Sequence, residues 1–214
     1  MYEDVKNEIV EASRYIDEKG WNHGRAGNIS VFIRDNQHVV ITPSGVVKAK
    51  LRPEDILVVD IEGNVVEGFG KPSIELPMHL AIYRAYDYVN AVIHAHGIYS
   101  TILAVTKEPL PPLIDEAIVL LGGEVRVAEY AFSGTEELAD NVVKALRERK
   151  AAIIANHGAI AVGKDLNEAI EIVGLVERLS EVYVLARLFG KVHLLPEEVV
   201  EFGKKVFLRE LRKK

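Results

Sequence analysis

The chain has 214 residues, of which 49% are hydrophobic and 27% charged, and its formal net charge is −6. These values are typical of a globular protein with one sizeable core. The negative charge gives no reason to expect a nucleic acid or an anionic membrane as a partner. Cysteine is absent, which excludes disulfides and thiolate metal ligands. A transition metal would have to be bound by His, Asp or Glu.

The N-terminus and the apolar runs bear on localisation. Met1 to Asp4 is acidic and lacks the basic and apolar regions of a secretion signal. No apolar run approaches the roughly 20 residues that span a bilayer. The sequence therefore predicts a cytoplasmic protein with no membrane partner.

The composition also resembles that of proteins from thermophiles. The chain has two methionines and a single glutamine, Gln37, whereas Lys, Glu and Arg are abundant. Depletion of labile side chains together with abundant charge is typical of proteins from thermophiles.

The first half of the chain alternates predicted helices with predicted hairpins. Apolar residues at helical spacing indicate the helices, and short β-rich runs separated by turn residues indicate the hairpins. The predicted elements are a helix at 3–18, strands at 29–33, 38–42, 56–61 and 65–66, a helix at 75–86 and a strand that ends at His94.

The second half repeats this alternation, with Thr135 as the predicted N-cap of a helix. Hairpins mixed with helices predict an α/β sandwich with a mixed, largely antiparallel sheet, in a single domain of residues 1–214. The predicted elements are a helix at 98–105, a strand at 124–130, a helix from Thr135 towards Arg149, strands at 151–155 and 159–162, a helix at 166–189 and a last helix from Pro196.

Three histidines lie at the ends of predicted strands. His94 and His96 are two residues apart after an apolar run, so their side chains are expected on the same face. His157 follows the apolar run at 151–155 directly. Two strand ends can thus deliver three nitrogen ligands to one point, and a carboxylate could complete a tetrahedral Zn²⁺ shell. The pattern predicts a divalent metal site.

The carboxylate is harder to place from spacing alone. Glu75 precedes His79 by four residues, which is also the spacing of an ordinary pair on a helix surface. The segment offers one histidine where the helix of zinc proteases has two, so a hydrolase of that type is disfavoured.

Three short loops contain residues suited to an anion. They are the segments 24–30, 42–45 and 71–73, which offer hydroxyl, amide and backbone N–H donors. Each could be a plain turn. Their succession ahead of the histidine strand nevertheless favours one site for an anionic small molecule.

The ordered set of motifs resembles the class II aldolase and adducin head family over residues 5 to 190. The motifs are Gly27-Asn28-x-Ser30, Thr42-Pro43-Ser44-Gly45, Pro72-Ser73-x-Glu75, His94-x-His96 and Asn156-His157-Gly158. The resemblance implies a three-layer α/β/α sandwich and a homotetramer with active sites at subunit interfaces. It implies one Zn²⁺ per subunit with the ligands Glu75, His94, His96 and His157.

The resemblance also implies an activity. It is the reversible cleavage of a phosphorylated ketose, such as L-fuculose 1-phosphate, to dihydroxyacetone phosphate and a small aldehyde through a metal-stabilised enediolate. Glu75 would be the catalytic acid and base. The implied phosphate-binding residues are Gly27, Asn28, Ser44, Gly45 and Ser73, and Arg25 is a candidate sixth where relatives often carry threonine.

Alternatives within the resemblance stay open. They are a ribulose-5-phosphate 4-epimerase, a methylthioribulose-1-phosphate dehydratase and a non-catalytic adducin-like assembly domain. Glu75 favours the aldolase over the epimerase, which carries Asp there. A catalytic tyrosine of the relatives has no counterpart in this chain, and Asp115 or Glu116 could replace it.

Overall fold

Eight strands and seven α-helices form in the described residues, 2–211, of the computed structural model; Met1 and residues 212–214 of the predicted domain lie outside them. The strands are β1 Asn28–Ile33, β2 His38–Ile41, β3 Leu57–Asp60, β4 Val65–Glu67, β5 Ala91–Ala95, β6 Arg126–Ala128, β7 Ala151–Ile154 and β8 Gly158–Gly163. The helices are α1 Glu3–Glu18, α2 Leu76–Ala85, α3 Ile98–Thr106, α4 Asp115–Val119, α5 Glu136–Leu146, α6 Leu166–Phe189 and α7 Glu197–Leu211.

The predicted elements agree with these bounds to within a few residues at most ends. Thr135 caps α5 as predicted, because its side chain accepts the N–H of Leu138. The short helix α4 was not predicted, since its five residues span little more than one turn and show no helical period.

The strands form one sheet in the order β4-β3-β2-β1-β5-β8-β7-β6. Every neighbouring pair is antiparallel except β6 and β7, which are parallel. The prediction of a mixed, largely antiparallel sheet is confirmed. The strands β1, β5 and β8 lie side by side at its centre, with Asn28 opposite His94 and His94 opposite Ile160.

Helices cover both faces of the sheet, so the three-layer α/β/α sandwich is confirmed. Successive side chains of a strand point to opposite faces, and β5 shows the consequence. Ile93 belongs to a core cluster that includes residues of α1, α3 and α6. Its neighbour Val92 belongs to a second cluster, with residues of α2 and α5. None of the helices in residues 2–211 is long and apolar enough to cross a bilayer.

Candidate metal centre and anion-binding loops

The end of β5 and the turn between β7 and β8 bring three imidazoles together. His94 and His96 share the face of the sheet that α2 covers, and β8 pairs with β5 so that His157 lies beside them. His94 Nε2 is 2.8 Å from His96 Nε2 and 3.2 Å from His157 Nε2. One ring nitrogen of each histidine lies within 4.8 Å of the other two. Three nitrogen donors therefore face one point.

Glu75 reaches the same point from the start of α2. It is the N-cap residue, one position before the helix, and it is only 5% exposed. Its Oε1 lies 3.3 Å from His157 Nε2 and its Oε2 lies 3.4 Å from His94 Nε2. The predicted carboxylate and the three predicted histidines thus form one cluster.

Each oxygen of Glu75 also has its own hydrogen-bond donor. Asn28 Nδ2 donates to Oε2 and Ser133 Oγ donates to Oε1, both at 2.7 Å. Burial alone would raise the pKa of Glu75, but His94, Ser133, His157 and Asn28 together lower it to about 2. The carboxylate is therefore ionised at neutral pH and fixed in orientation.

His96 and His157 suit a metal because they are neutral at neutral pH, and His94 suits it because its ring is oriented. Burial lowers the pKa of His96 to about 3 and that of His157 to about 4, and repulsion from His94 adds to both shifts. His94 Nδ1 lies 2.9 Å from the carbonyl of Ala159. A proton on Nδ1 donates there, which leaves the Nε2 lone pair facing the cluster. Three imidazole nitrogens and one carboxylate fit Zn²⁺ and several other divalent transition metals.

The segment just before the first anion loop supports His96 directly. The backbone N–H of His96 donates to the side chain of Asn22 and to the carbonyl of Trp21, both at 2.9 Å. A Cβ added at Gly27, whose φ is +70°, would lie 2.2 Å from Asn22 Nδ2. Glycine at position 27 is therefore required for Asn22 to support the histidine strand.

The three predicted anion loops meet in the structure. Ser44 N donates to Lys71 O at 2.9 Å and Ser73 N donates to Thr42 O at 3.2 Å, which joins the second and third loops. Lys48 N donates to Gly24 O at 2.8 Å, which joins the first loop to the segment after the second. The expected convergence of these loops is present.

The predicted phosphate-binding side chains differ in their surroundings. Arg25 and Gly45 are exposed, and Ser44 is half-buried. Ser73 is buried, and its Oγ accepts the backbone N–H of Glu75 at 3.3 Å. The amide of Asn28 is directed at Glu75 instead of the loops. Ser73 therefore links the loops to the carboxylate, and Asn28 belongs to the carboxylate's own surroundings.

The interpretation of Glu75 and His79 as a helix-surface pair is wrong. His79 is fully buried, and it bonds to Asn28 through Nε2 and to Ser30 through Nδ1. The difference arises because Glu75 lies before the first turn of α2 and this face of α2 packs on β1. The alternation of polar Asn28 and Ser30 with apolar residues in β1 was the available signal.

Lys48 and Ser133 were also missed as site residues. Lys48 is 4% exposed, and its ammonium lies 3.4 Å from Pro43 O and 3.3 Å from Val46 O, inside the second loop. Burial lowers the pKa of Lys48, and the charge of Glu75 opposes that shift. A lysine next to an apolar pair gives no sequence signal of burial. Ser133 lies in a connecting segment 58 residues from Glu75.

Asp115 and Glu116 form the first turn of α4. Glu116 Oε2 lies 3.5 Å from Arg178 Nη1 of α6, and Asp115 is exposed. Within one subunit, neither Asp115 nor Glu116 contacts the histidine cluster in the described residues. Their suggested role in place of a tyrosine stays a prediction.

Comparison with known proteins agrees with this geometry. Residues 7–184 match the family model described as Class II Aldolase and Adducin N-terminal domain. The chain is 35% identical over 92% of its length to a 5-deoxy-D-ribulose 1-phosphate aldolase of Bacillus thuringiensis, also covering 92% of that protein. It is 36% identical to a 5-methylthioribulose-1-phosphate/5-deoxyribulose-1-phosphate aldolase of Rhodospirillum rubrum, covering 92% of this chain and 88% of the relative.

A solved structure gives the same result. An L-fuculose 1-phosphate aldolase superposes with a TM-score of 0.91 at 44% identity, covering 95% of this chain and 96% of that one. The matches span the sheet, the histidine cluster and the anion loops. The chain therefore belongs to the class II aldolase and adducin N-terminal domain family, as its motifs predicted, and is an enzyme of the family's lyase type.

Proposed function

We propose that the protein is a Zn²⁺-dependent aldolase that reversibly cleaves a ketose 1-phosphate to dihydroxyacetone phosphate and a small aldehyde. The observation that carries this proposal is the position of Glu75. Its carboxylate lies against His94 and His157, and its backbone N–H is bound by Ser73 of the third anion loop. One residue thus connects the histidine cluster to the third loop, and the proposed cleavage of a phosphorylated ketose would use both.

The assigned metal ligands are Glu75, His94, His96 and His157. A Zn²⁺ held there would supply Lewis acidity towards the ketose carbonyl and its neighbouring hydroxyl. Glu75 is ionised, and in this arrangement it would lie beside the reacting end of the substrate. It is therefore the group that we assign to moving the proton at carbon.

The loops would bind the phosphate at the end of the substrate that does not react. Backbone N–H groups of the first two loops and the hydroxyls of Ser44 and Ser73 are the donors that we assign to it, with Arg25, Gly27, Asn28 and Gly45 as further candidates from the resemblance. The buried ammonium of Lys48 adds a positive charge within the second loop. Anchoring the phosphate orients the reacting carbon and lowers the entropic part of the barrier.

The relatives' names suggest two substrate groups. One is L-fuculose 1-phosphate, and the other is 5-deoxyribulose 1-phosphate or its 5-methylthio analogue. Cleavage between C3 and C4 of any of them yields dihydroxyacetone phosphate, so they differ only in the aldehyde released. We place L-fuculose 1-phosphate first because the solved structure with that name is 44% identical to this chain. The two other relatives reported above are 35% and 36% identical.

The test is release of dihydroxyacetone phosphate from each of the three ketose 1-phosphates by zinc-loaded protein. A chelator-treated sample and the same sample after zinc is restored are the controls. Product that disappears with the chelator and returns with zinc supports the aldolase. Turnover of ribulose 5-phosphate, or dehydration of methylthioribulose 1-phosphate without dihydroxyacetone phosphate, would instead identify the epimerase or the dehydratase.

We also propose a homotetramer with active sites at subunit interfaces. Large apolar side chains are exposed within two positions of site residues: Ile74 at 62%, Ile98 at 68% and Phe132 at 74%. A second subunit on this surface would remove them from water. Light scattering on the purified protein measures the assembly. A single domain of residues 1–214 and a cytoplasmic location stay predictions.

A further inference from the structure

A chain of buried polar groups lies behind Glu75, between β1 and α2. Its members are Ser30 and His79, both 0% exposed, Tyr83 at 2% and Asn28 at 4%. Asn28 Nδ2 contacts Glu75, His79 Nε2 contacts Asn28 Oδ1, Ser30 Oγ lies 2.6 Å from His79 Nδ1, and Tyr83 OH lies 2.7 Å from Ser30 Oγ. The proposed mechanism uses only Asn28 and Glu75 from this chain.

The donor and acceptor of each hydrogen bond in this chain of polar groups can be assigned by starting from Glu75. An ionised carboxylate only accepts hydrogen bonds, so Asn28 turns its NH₂ group to Glu75 and its Oδ1 to His79. Since Oδ1 cannot donate, His79 Nε2 must carry the proton. The neutral ring then has a lone pair on Nδ1, which accepts from the hydroxyl of Ser30. The single hydroxyl proton of Tyr83 is then shared between two acceptors of Ser30, its Oγ and its backbone carbonyl, which lies 3.0 Å from the Tyr83 oxygen.

We propose that His79 is a positioning residue that sets the orientation of Glu75 through the amide of Asn28. The Nε2–H of His79 holds the amide so that its NH₂ group faces Glu75 Oε2. The reversed amide would place Oδ1 against an ionised carboxylate and leave the N–H of His79 facing another donor. With Ser133 on the opposite oxygen, the carboxylate is held on both sides and directed at the histidines.

This inference rests on the proposed metal centre, and it predicts an effect on metal binding. Groups that orient a metal ligand through hydrogen bonds contribute roughly 10- to 100-fold to metal affinity. Replacing His79 with leucine removes the donor to Asn28 and keeps an apolar side chain of comparable size. Zinc affinity and kcat should both fall by that factor, whereas KM for the ketose phosphate should change little.

A matched control separates orientation from core packing. Tyr83→Phe removes one polar atom from the far end of the same buried chain and leaves the contact between His79 and Asn28 in place. Its zinc affinity should stay within about two-fold of the wild-type value. His79→Gln keeps an amide donor and should recover part of what His79→Leu loses. Zinc affinity is measured by competition with a chromophoric chelator, so the readout does not depend on turnover.

The wild-type protein provides a second test that needs no substitution. Nitrogen-15 NMR of the histidine side chains reports which ring nitrogen of His79 carries the proton, and the Nε2–H tautomer is expected with or without zinc. The Nδ1–H tautomer, or a folded His79→Leu protein with native zinc affinity and kcat, would overturn the inference. Failure of the wild-type protein to bind a divalent metal would instead refute the proposed metal centre.

Discussion

Ser133 and Glu75, which are 58 residues apart in the chain, share a 2.7 Å hydrogen bond in which Ser133 Oγ donates to Glu75 Oε1. This contact brings the segment before α5 against the start of α2. Gly134 makes the approach possible, since a Cβ at this position, where φ is +83°, would lie 2.7 Å from the carbonyl of Ile74. The connecting segment thus takes part in the candidate site.

Replacing Ser133 with alanine tests this contact. Loss of the hydrogen bond should raise the pKa of Glu75 and lower turnover by about ten-fold, because hydrogen bonds to charged groups contribute roughly 1.5–3 kcal/mol. The matched control is Thr135→Ala, which removes the cap of α5 and should cost about 1 kcal/mol in the free energy of unfolding with turnover retained. Equal turnover in the two variants would contradict the assignment of Ser133.

His94→Ala tests the metal centre itself. His94 Nε2 faces both other imidazoles and Glu75, so the variant should lose most of its bound zinc. Elemental analysis after gel filtration measures the zinc content. His193→Ala, which replaces an exposed histidine outside the cluster, should keep the wild-type content. Stoichiometric zinc in His94→Ala would refute the ligand assignment.

Glu75→Gln tests the proton-transfer role. Glutamine preserves the size of the side chain and can still accept a hydrogen bond, so the protein should fold normally. It cannot take up the proton, and we expect turnover to fall by at least about 100-fold, within the range of general acid–base catalysis. Circular dichroism checks the fold and steady-state assays check the rate. Near-native rates would exclude Glu75 as the acid and base.

Lys48→Met tests the charge in the second loop. Methionine fills a similar buried volume but has no charge, so the affinity for inorganic phosphate and for the ketose phosphate should fall about ten-fold, with a smaller effect on kcat. Lys50→Met is the matched control, because Lys50 is exposed in the same short 3-10 turn at Lys48–Lys50. Calorimetric titration with inorganic phosphate measures the affinity of each variant. If the two variants bind phosphate equally well, Lys48 has no part in the anion site.

The metal-free protein should lose stability on mild acidification. Burial lowers the pKa of His79 and of His96 to about 3 and that of His157 to about 4, below the value of about 6.5 in an unfolded chain. Between these values the unfolded chain binds more protons than the folded one. The free energy of unfolding should therefore fall as the pH drops from about 6.5 towards 4. Urea titrations across this range measure it, and a flat profile would show that these imidazoles titrate normally.

Local patterns were enough to predict most of the histidine cluster and every strand and α-helix except α4. The period of two in β5 places His94 and His96 on one face whatever lies around them, because strand geometry alone decides it. The helical stripe of α1 and the capping threonine of α5 are local signals of the same kind. The order of the family motifs further predicted the three-layer sandwich and the lyase activity.

The contacts of Glu75, Asn28, His79, Lys48 and Ser133 were visible only in the tertiary structure. Sequence spacing placed Glu75 and His79 on one helix surface, whereas packing of α2 on β1 buries His79 and leaves Glu75 before the helix. Asn28 and His79 are 51 positions apart, and Ser133 and Glu75 are 58 positions apart. No local periodicity of the sequence could reveal hydrogen bonds between residues so far apart. The amino-acid sequence was sufficient to identify the available polar groups, the eight strands and every α-helix except the short α4. The packing of helices on the sheet decided which polar groups are buried together, because only burial makes an unpaired polar group costly and so selects its partner.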